Sequence, residues 1–232
     1  MTQNTKYNIC YWCGEKATSK EHVPPSNIFP KHYRHELITV GACKKHNEEF
    51  SKLDERMRFN LTFVSKNEIG RAHYKNKSIK GLKRPESSKL LLDLSNNFIP
   101  DHKGENLQKE SPETLNKYFE KIIRGLYFHH HSKPLNGSTS YFSSKVKQLD
   151  LNANIHFYFY CISSEGKWIE GDSKNPDIFK YYYRYSSDME QFFLKMFFFD
   201  DHEICGVTVP VDKTINDYAL SYDEYKERME KW

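Results

Sequence analysis

The sequence contains no apolar run approaching the roughly 18 residues that a membrane-spanning helix needs. Its opening residues, MTQNTKYNIC, also lack the basic and then apolar order of a secretory leader. Both absences point to a globular protein of the cytoplasm with no membrane partner. There is no internal repeat and no long low-complexity tract, which excludes a solenoid or a tail-like chain. Cysteine is scarce, with five in 232 residues. In a reducing compartment five thiols do not read as a disulfide framework, so their spacing needs another explanation.

What is present suffices for a core: 38% hydrophobic content over 232 residues supports one large domain or two small ones. The net charge of +4 hides an asymmetry. Residues 1–90 carry 18 basic against 9 acidic side chains, and residues 150–232 carry 9 against 16. A basic front suits a phosphate-bearing partner, although unevenly charged solvated surfaces also arise without one.

Periodicity gives an α+β chain. Residues 7–14 and 37–43 read as short β segments, separated by the Pro-containing loop that holds Glu21 and His22. Phe50, Leu53, Met57 and Leu61 recur at helical spacing and predict an amphipathic helix after Cys43. Residues 65–90 are polar and basic and read as a linker or surface arm. Ser111 before Pro112 predicts a helix start, with the helix running to about residue 128. Beyond it the alternating Tyr-, Phe- and Ile-rich stretches over 146–210 predict an antiparallel sheet, and the tail from Ser221 a closing helix.

Cys10 and Cys13 form one Cys-x-x-Cys pair, and about thirty residues later Cys43 and His46 repeat the interval. Three thiols and an imidazole suit tetrahedral Zn²⁺. A redox reading of Cys10 and Cys13 would need a βαβ context and would leave Cys43 and His46 unexplained. Cys161 and Cys205 stand in apolar surroundings and read as core. Four protein ligands leave no open position, so the zinc is structural. The residues beside the ligands carry the chemistry. Hydrolysis of a phosphodiester needs a base and a hard divalent cation. His22 can serve as the base, while the oxygens of Glu21 and Asn47 suit Mg²⁺ or Mn²⁺.

These stretches, Cys10-x-x-Cys13-Gly14, Glu21-His22-Val23-Pro24-Pro25, Thr39 to Cys43 and His46-Asn47 through Glu55, resemble the HNH endonuclease superfamily with its ββα-metal core. The ligand order is similar to that of the endonuclease VII type. The resemblance implies His22 as general base, Glu21 and Asn47 on a catalytic Mg²⁺ or Mn²⁺, and Cys10, Cys13, Cys43 and His46 on structural zinc. It covers about a quarter of the chain. Ile123 to Phe128 and the aromatic stretch after it also look like the C-terminal part of HNH proteins of similar size. The fourth zinc position, usually Cys, is His46 here, and residues 48–60 hold no metal-binding His. Asp54 or Glu55 could take that place, or both could be solvated charges on the helix.

The expected organisation is a zinc-stabilised ββα-metal domain over 1–64, a basic linker or arm over 65–90, and an α+β domain over 91–232 with a helix on an aromatic antiparallel sheet. Lys66, Arg71, Lys75, Lys77, Lys80, Lys83 and Arg84 on the arm would contact nucleic acid, DNA before RNA, through its phosphates. The His129-His130-His131 run reads as a polar helix end, because neighbouring helical residues face apart. The aromatics of 155–199 read as core rather than as base-stacking groups. The acidic last third is open to a homodimer contact or a regulatory protein partner. The resemblance further suggests an effector of restriction or anti-phage defence. From another class, the same residues could form a non-catalytic zinc module that binds nucleic acid or a protein.

Overall fold

The computed structural model describes residues 7–63, 65–96, 98–100, 106–108, 110–143, 155, 158, 166–187, 189–200, 202–219, 221, 223–224 and 227. Among them the architecture is α+β, and the first forty residues depart from the sequence expectation in a way that matters for the site. Residues 7–14 form no strand. A single bridge joins Ile9 to Lys16, and between them the chain turns tightly, with the Gly14 N–H on the Cys10 carbonyl at 3.0 Å. The reason is geometric: an extended strand would separate Cys10 from Cys13 by about 10 Å, whereas a turn faces both thiols inward. Gly14, at φ +77°, closes that turn in the left-handed region.

The first strand is instead β1 (Ser19–His22), which pairs antiparallel with β2 (Thr39–Ala42) so that Glu21 faces Val40 and His22 faces Thr39. Glu21 and His22, expected in a loop, therefore end a strand. The predicted helix after Cys43 forms as two pieces, α1 (Lys44–Glu48) and α2 (Ser51–Phe63), with Phe50 buried at the break.

The expected linker or arm is also ordered differently. It folds as α3 (Glu68–His73), a π-helical turn over Tyr74–Ser78, and α4 (Ile79–Leu82), followed by α5 (Ser88–Asn96). Asn67 starts α3, its side-chain oxygen accepting from the Ile69 and Gly70 amides at 2.8 and 3.2 Å. Few large apolar residues are needed here, because Leu82 and Leu94, with Tyr74 and Leu90, close over Phe59 and Phe63 of α2 as a small separate cluster.

A short antiparallel pair, β3 (Phe98–Pro100) and β4 (Asn106–Gln108), precedes α6 (Pro112–His131). The start of α6 is as predicted: the Ser111 hydroxyl accepts from the Thr114 amide at 3.1 Å. Its end lies three residues beyond the expected one, where Ser132 adopts φ 53° and donates its N–H to the Phe128 carbonyl. Leu115, Tyr118, Phe119, Ile122, Ile123 and Leu126 make its buried stripe.

The sheet then comprises β5 (Gly137–Ser143), β6 (Ile169–Glu170), β7 (Phe179–Ser186), β8 (Gln191–Phe198) and β9 (His202–Pro210), all antiparallel in the order β5-β9-β8-β7-β6. Of the aromatics of β7 and β8, Phe179, Tyr181, Phe192, Phe193 and Phe198 are buried as expected, whereas Tyr182, Tyr183 and Phe197 are half-buried and Tyr185 is exposed. Cys205 is core, beside Phe193 and Val207. Of the strand expected over 146–165 only Ile155 and Tyr158 are described, and both are helical and buried; Cys161 and most of the closing helix lie outside the described residues.

One hydrophobic cluster joins Cys10 and Tyr11 of the knuckle, Val40 of the hairpin, Met57 and Leu61 of α2, the stripe of α6 and the inner face of the sheet. This core crosses both boundaries expected near residues 64 and 91. The approach of α6 to the hairpin is close: a Cβ on Gly125 would stand 2.6 Å from Cγ2 of Val23. No helix among the described residues is long and apolar enough to cross a membrane.

Candidate metal centre and its buried ion triad

The knuckle turn, the end of β2 and the first turn of α1 bring Cys10, Cys13, Cys43 and His46 together, with one ligand atom from each lying within 4.8 Å of all the others. Cys13 Sγ stands 3.9 Å from Cys43 Sγ, and His46 Nδ1 stands 3.6 Å from Cys10 Sγ and 3.3 Å from Cys43 Sγ. Zn–S and Zn–N bonds of normal length give tetrahedral edges of about 3.8 and 3.6 Å, so the quartet fits one zinc ion. These thiols are free rather than bridged. Burial holds the His46 imidazole below its ordinary pKa, which favours the neutral, ligating ring. Partial burial, together with the Cys10 and Cys43 thiols, pushes Cys13 up to about 11. A dication would relieve that crowding. Trp12 stacks on the His46 ring at 5.5 Å between centroids and lies against Phe50, while the Arg124 guanidinium of α6 covers Trp12 at 4.9 Å. The metal site is thus packed against α6.

Beside it lies a group the sequence reading did not find. Lys121, on the buried stripe of α6 and only 1% exposed, places its ammonium 3.3 Å from Glu21 Oε1 and 2.8 Å from Asp54 Oδ2. Asp54 is therefore a buried ion-pair partner, and the solvated reading of it is corrected. Burial raises the pKa of both carboxyls; Lys121 opposes this, and Asp54 adds to it for Glu21. Two carboxylates against one ammonium leave the triad one positive charge short. The legible signal was a lysine at an apolar-stripe position, three residues after Tyr118 and four before Gly125.

His22 is half-buried, and its imidazole is held below its ordinary pKa first by burial, then by Arg34 and Lys121. A ring kept neutral can accept a proton. Asn47 follows His46 on α1, which packs against both strands of the hairpin. Glu55 pairs with Arg58 at 3.3 Å, next to Gly81 of α4.

The oxygens of Glu21 and Asn47 suit a hard divalent cation. The triad's deficit of positive charge suits one as well. The hydroxyls of Tyr11 and Tyr118 are buried without a hydrogen-bond partner, and burial holds both well above their ordinary pKa and so protonated. The zinc quartet is the only group of three or more His, Cys, Asp or Glu ligand atoms that converges among the described residues.

The remaining predicted residues separate. Of the basic arm, Lys66, Arg71, Lys75, Lys80, Lys83 and Arg84 are exposed, whereas Lys77 is half-buried. His129 and His130 are not a solvated end. His129 Nε2 lies 3.0 Å from the Asp172 carboxylate, and His130 is wedged against Tyr183 at 3.9 Å between ring centroids. Comparison with known proteins identifies no relative: no family profile matches the chain, nor does any curated protein or solved structure.

Two outcomes are expected. The chain binds one equivalent of zinc, and Cys13→Ser or a strong chelator lowers both metal content and melting temperature; a melting temperature indifferent to zinc contradicts the quartet. Lys121→Met, which strands two buried carboxylates, costs about 3–5 kcal/mol in denaturant unfolding, and adding Glu21→Gln and Asp54→Asn restores most of it. A loss that the double replacement leaves untouched would assign Lys121 a packing role instead.

Proposed function

We propose that this protein is a metal-dependent HNH-type endonuclease that hydrolyses phosphodiester bonds of nucleic acid, DNA before RNA. The observation that carries the reading is His22: a half-buried imidazole held neutral, at the end of the strand that leaves a zinc knuckle, one residue from a buried carboxylate. In this mechanism His22 takes a proton from the water that attacks phosphorus. The Cys10, Cys13, Cys43 and His46 zinc is structural and holds the hairpin to α1.

Glu21 and Asn47 would hold Mg²⁺ or Mn²⁺, which supplies positive charge to a phosphate oxygen and to the departing 3′ oxygen when bound. Lys121 positions the Glu21 carboxylate and, at 1% exposure, does not itself reach substrate. Hydrolysis in this sense leaves a 5′ phosphate. The placing of the protein in restriction or anti-phage defence follows the resemblance alone.

A second reading draws on one specific observation. Glu21 is buried and already paired with Lys121, as a purely structural carboxylate would be, so the scaffold would serve as a non-catalytic zinc module that binds nucleic acid or a protein. The two readings part at His22. The nuclease reading expects zinc-loaded wild type to nick supercoiled plasmid with Mg²⁺ or Mn²⁺. It expects His22→Ala to lose about 10²- to 10⁴-fold of that rate with an unchanged melting curve and zinc content. Near-normal nicking by His22→Ala would sink the assignment.

A further inference from the structure

A cleft of about 500 Å³ opens between the β1–β2 loop and α3 with its π-helical continuation. Lys31, His32, Tyr33 and Arg34 form one wall, and His73 and Lys77 stand in the other, with Glu68 the acidic residue at its edge. The walls are held firmly. His73 Nε2 lies 3.0 Å from the Asn27 carbonyl, which ties helix to loop, and Arg34 Nε donates to the Phe29 carbonyl at 2.9 Å. Among the described residues the terminal nitrogens of Arg34 take no partner. The π-helical turn over Tyr74–Ser78 carries Lys77, and such wide turns occur often at functional sites.

Further cations stand behind these walls. Arg58 is 5% exposed, its Nε buried without a hydrogen-bond partner. Burial, and then Arg58, Arg84, Arg34 and Lys31, hold Lys77 below its ordinary pKa, so five basic side chains share one field. Glu55 answers Arg58 at 3.3 Å, but Lys31, Arg34, Lys77 and Arg84 make no ion pair among the described residues, and like charges gathered this closely favour a bound anion. The exposed face of the same helical segment, by contrast, spreads its lysines into solvent.

We propose that this cleft holds the sugar-phosphate backbone of a short stretch of one nucleic-acid strand. Lys31, Arg34 and Lys77 meet its phosphates, and the His32 and Tyr33 rings, 4.4 Å apart, offer a face to a base. The inference rests on the nuclease reading and deepens it by naming where the substrate strand lies. The two are joined by the chain itself, since Lys31 to Arg34 of the cleft wall lie on the β1–β2 connection that begins directly after His22.

The test is binding rather than cutting, on the full zinc-loaded chain carrying His22→Ala, so that hydrolysis does not enter. A short fluorescein-labelled single-stranded oligonucleotide is titrated by anisotropy over a salt series, with inorganic phosphate as competitor. Lys31→Ala with Lys77→Ala should weaken binding at least about tenfold and flatten the logarithmic salt slope by about 1.4, as two lost phosphate contacts require. Lys167→Ala with Lys213→Ala removes the same charge at exposed positions outside the cleft and the arm and should change both far less. Lys31→Glu alone, at an exposed loop position, should weaken binding without touching the fold. Equal losses from the two lysine pairs, or none from the cleft pair, overturn the proposal. So does a cleft that loses only phosphate competition while oligonucleotide affinity stands. A wild type that binds through the cleft yet cuts no nucleic acid would fail the nuclease reading alone; one that cuts while the cleft variants bind normally would fail the cleft alone.

Discussion

The ammonium of Lys121, buried between Glu21 and Asp54, is the constraint on which the rest of the architecture depends. A buried charge is tolerated only where partners surround it, and these partners come from three elements: β1 through Glu21, α2 through Asp54 and α6 through Lys121 itself. The hairpin and α2 cannot shift against α6 without stranding a charge. Close packing acts in the same direction, with Gly125 letting Val23 sit directly on the helix and Arg124 covering Trp12. The zinc quartet and the sheet are thereby parts of one body with a common core.

The quartet and the triad divide the work of placing His22. Zinc would fix the knuckle to the first turn of α1, and thus the start of β1 and the end of β2. The triad fixes the far end of β1, one residue before His22. Both are needed because β1 has only four residues and one partner strand, too little for a stable strand alone. The triad leaves its own two carboxylates short of positive charge, while the cleft beyond Arg34 has an excess of it. An anionic backbone lying along that excess and a cation entering at the deficit would each lower the cost of burying these groups.

How much of this was legible in the sequence differs by element, for physical reasons. The zinc quartet could be read because metal ligands need fixed spacing and fixed chemistry. The start of α6 could be read from Ser111 and Pro112, and the strands of 179–210 from their aromatic alternation. The β1 strand was misplaced because the knuckle's apolar residues Ile9, Tyr11 and Trp12 imitate a strand while serving a turn. The helices of 68–96 read as an arm because their burial rests on a few widely spaced side chains and on glycines that add no hydrophobic signal. The pairing of Asp54 with Lys121 was missed because it spans 67 residues. Local pattern holds no record of such a pairing, apart from a lysine standing where an apolar residue belongs.

The proposed role of His22 as general base requires water to be the nucleophile that opens the phosphodiester bond. The most direct measurement is the fate of oxygen when wild type cleaves a defined oligonucleotide in ¹⁸O-labelled water, read by mass spectrometry of the new ends. Hydrolysis as described puts one labelled oxygen on a 5′-phosphate end and leaves a free 3′ hydroxyl. A 3′-phosphate or cyclic phosphate end, or no cleavage of any nucleic acid with Mg²⁺ or Mn²⁺ present, would contradict it.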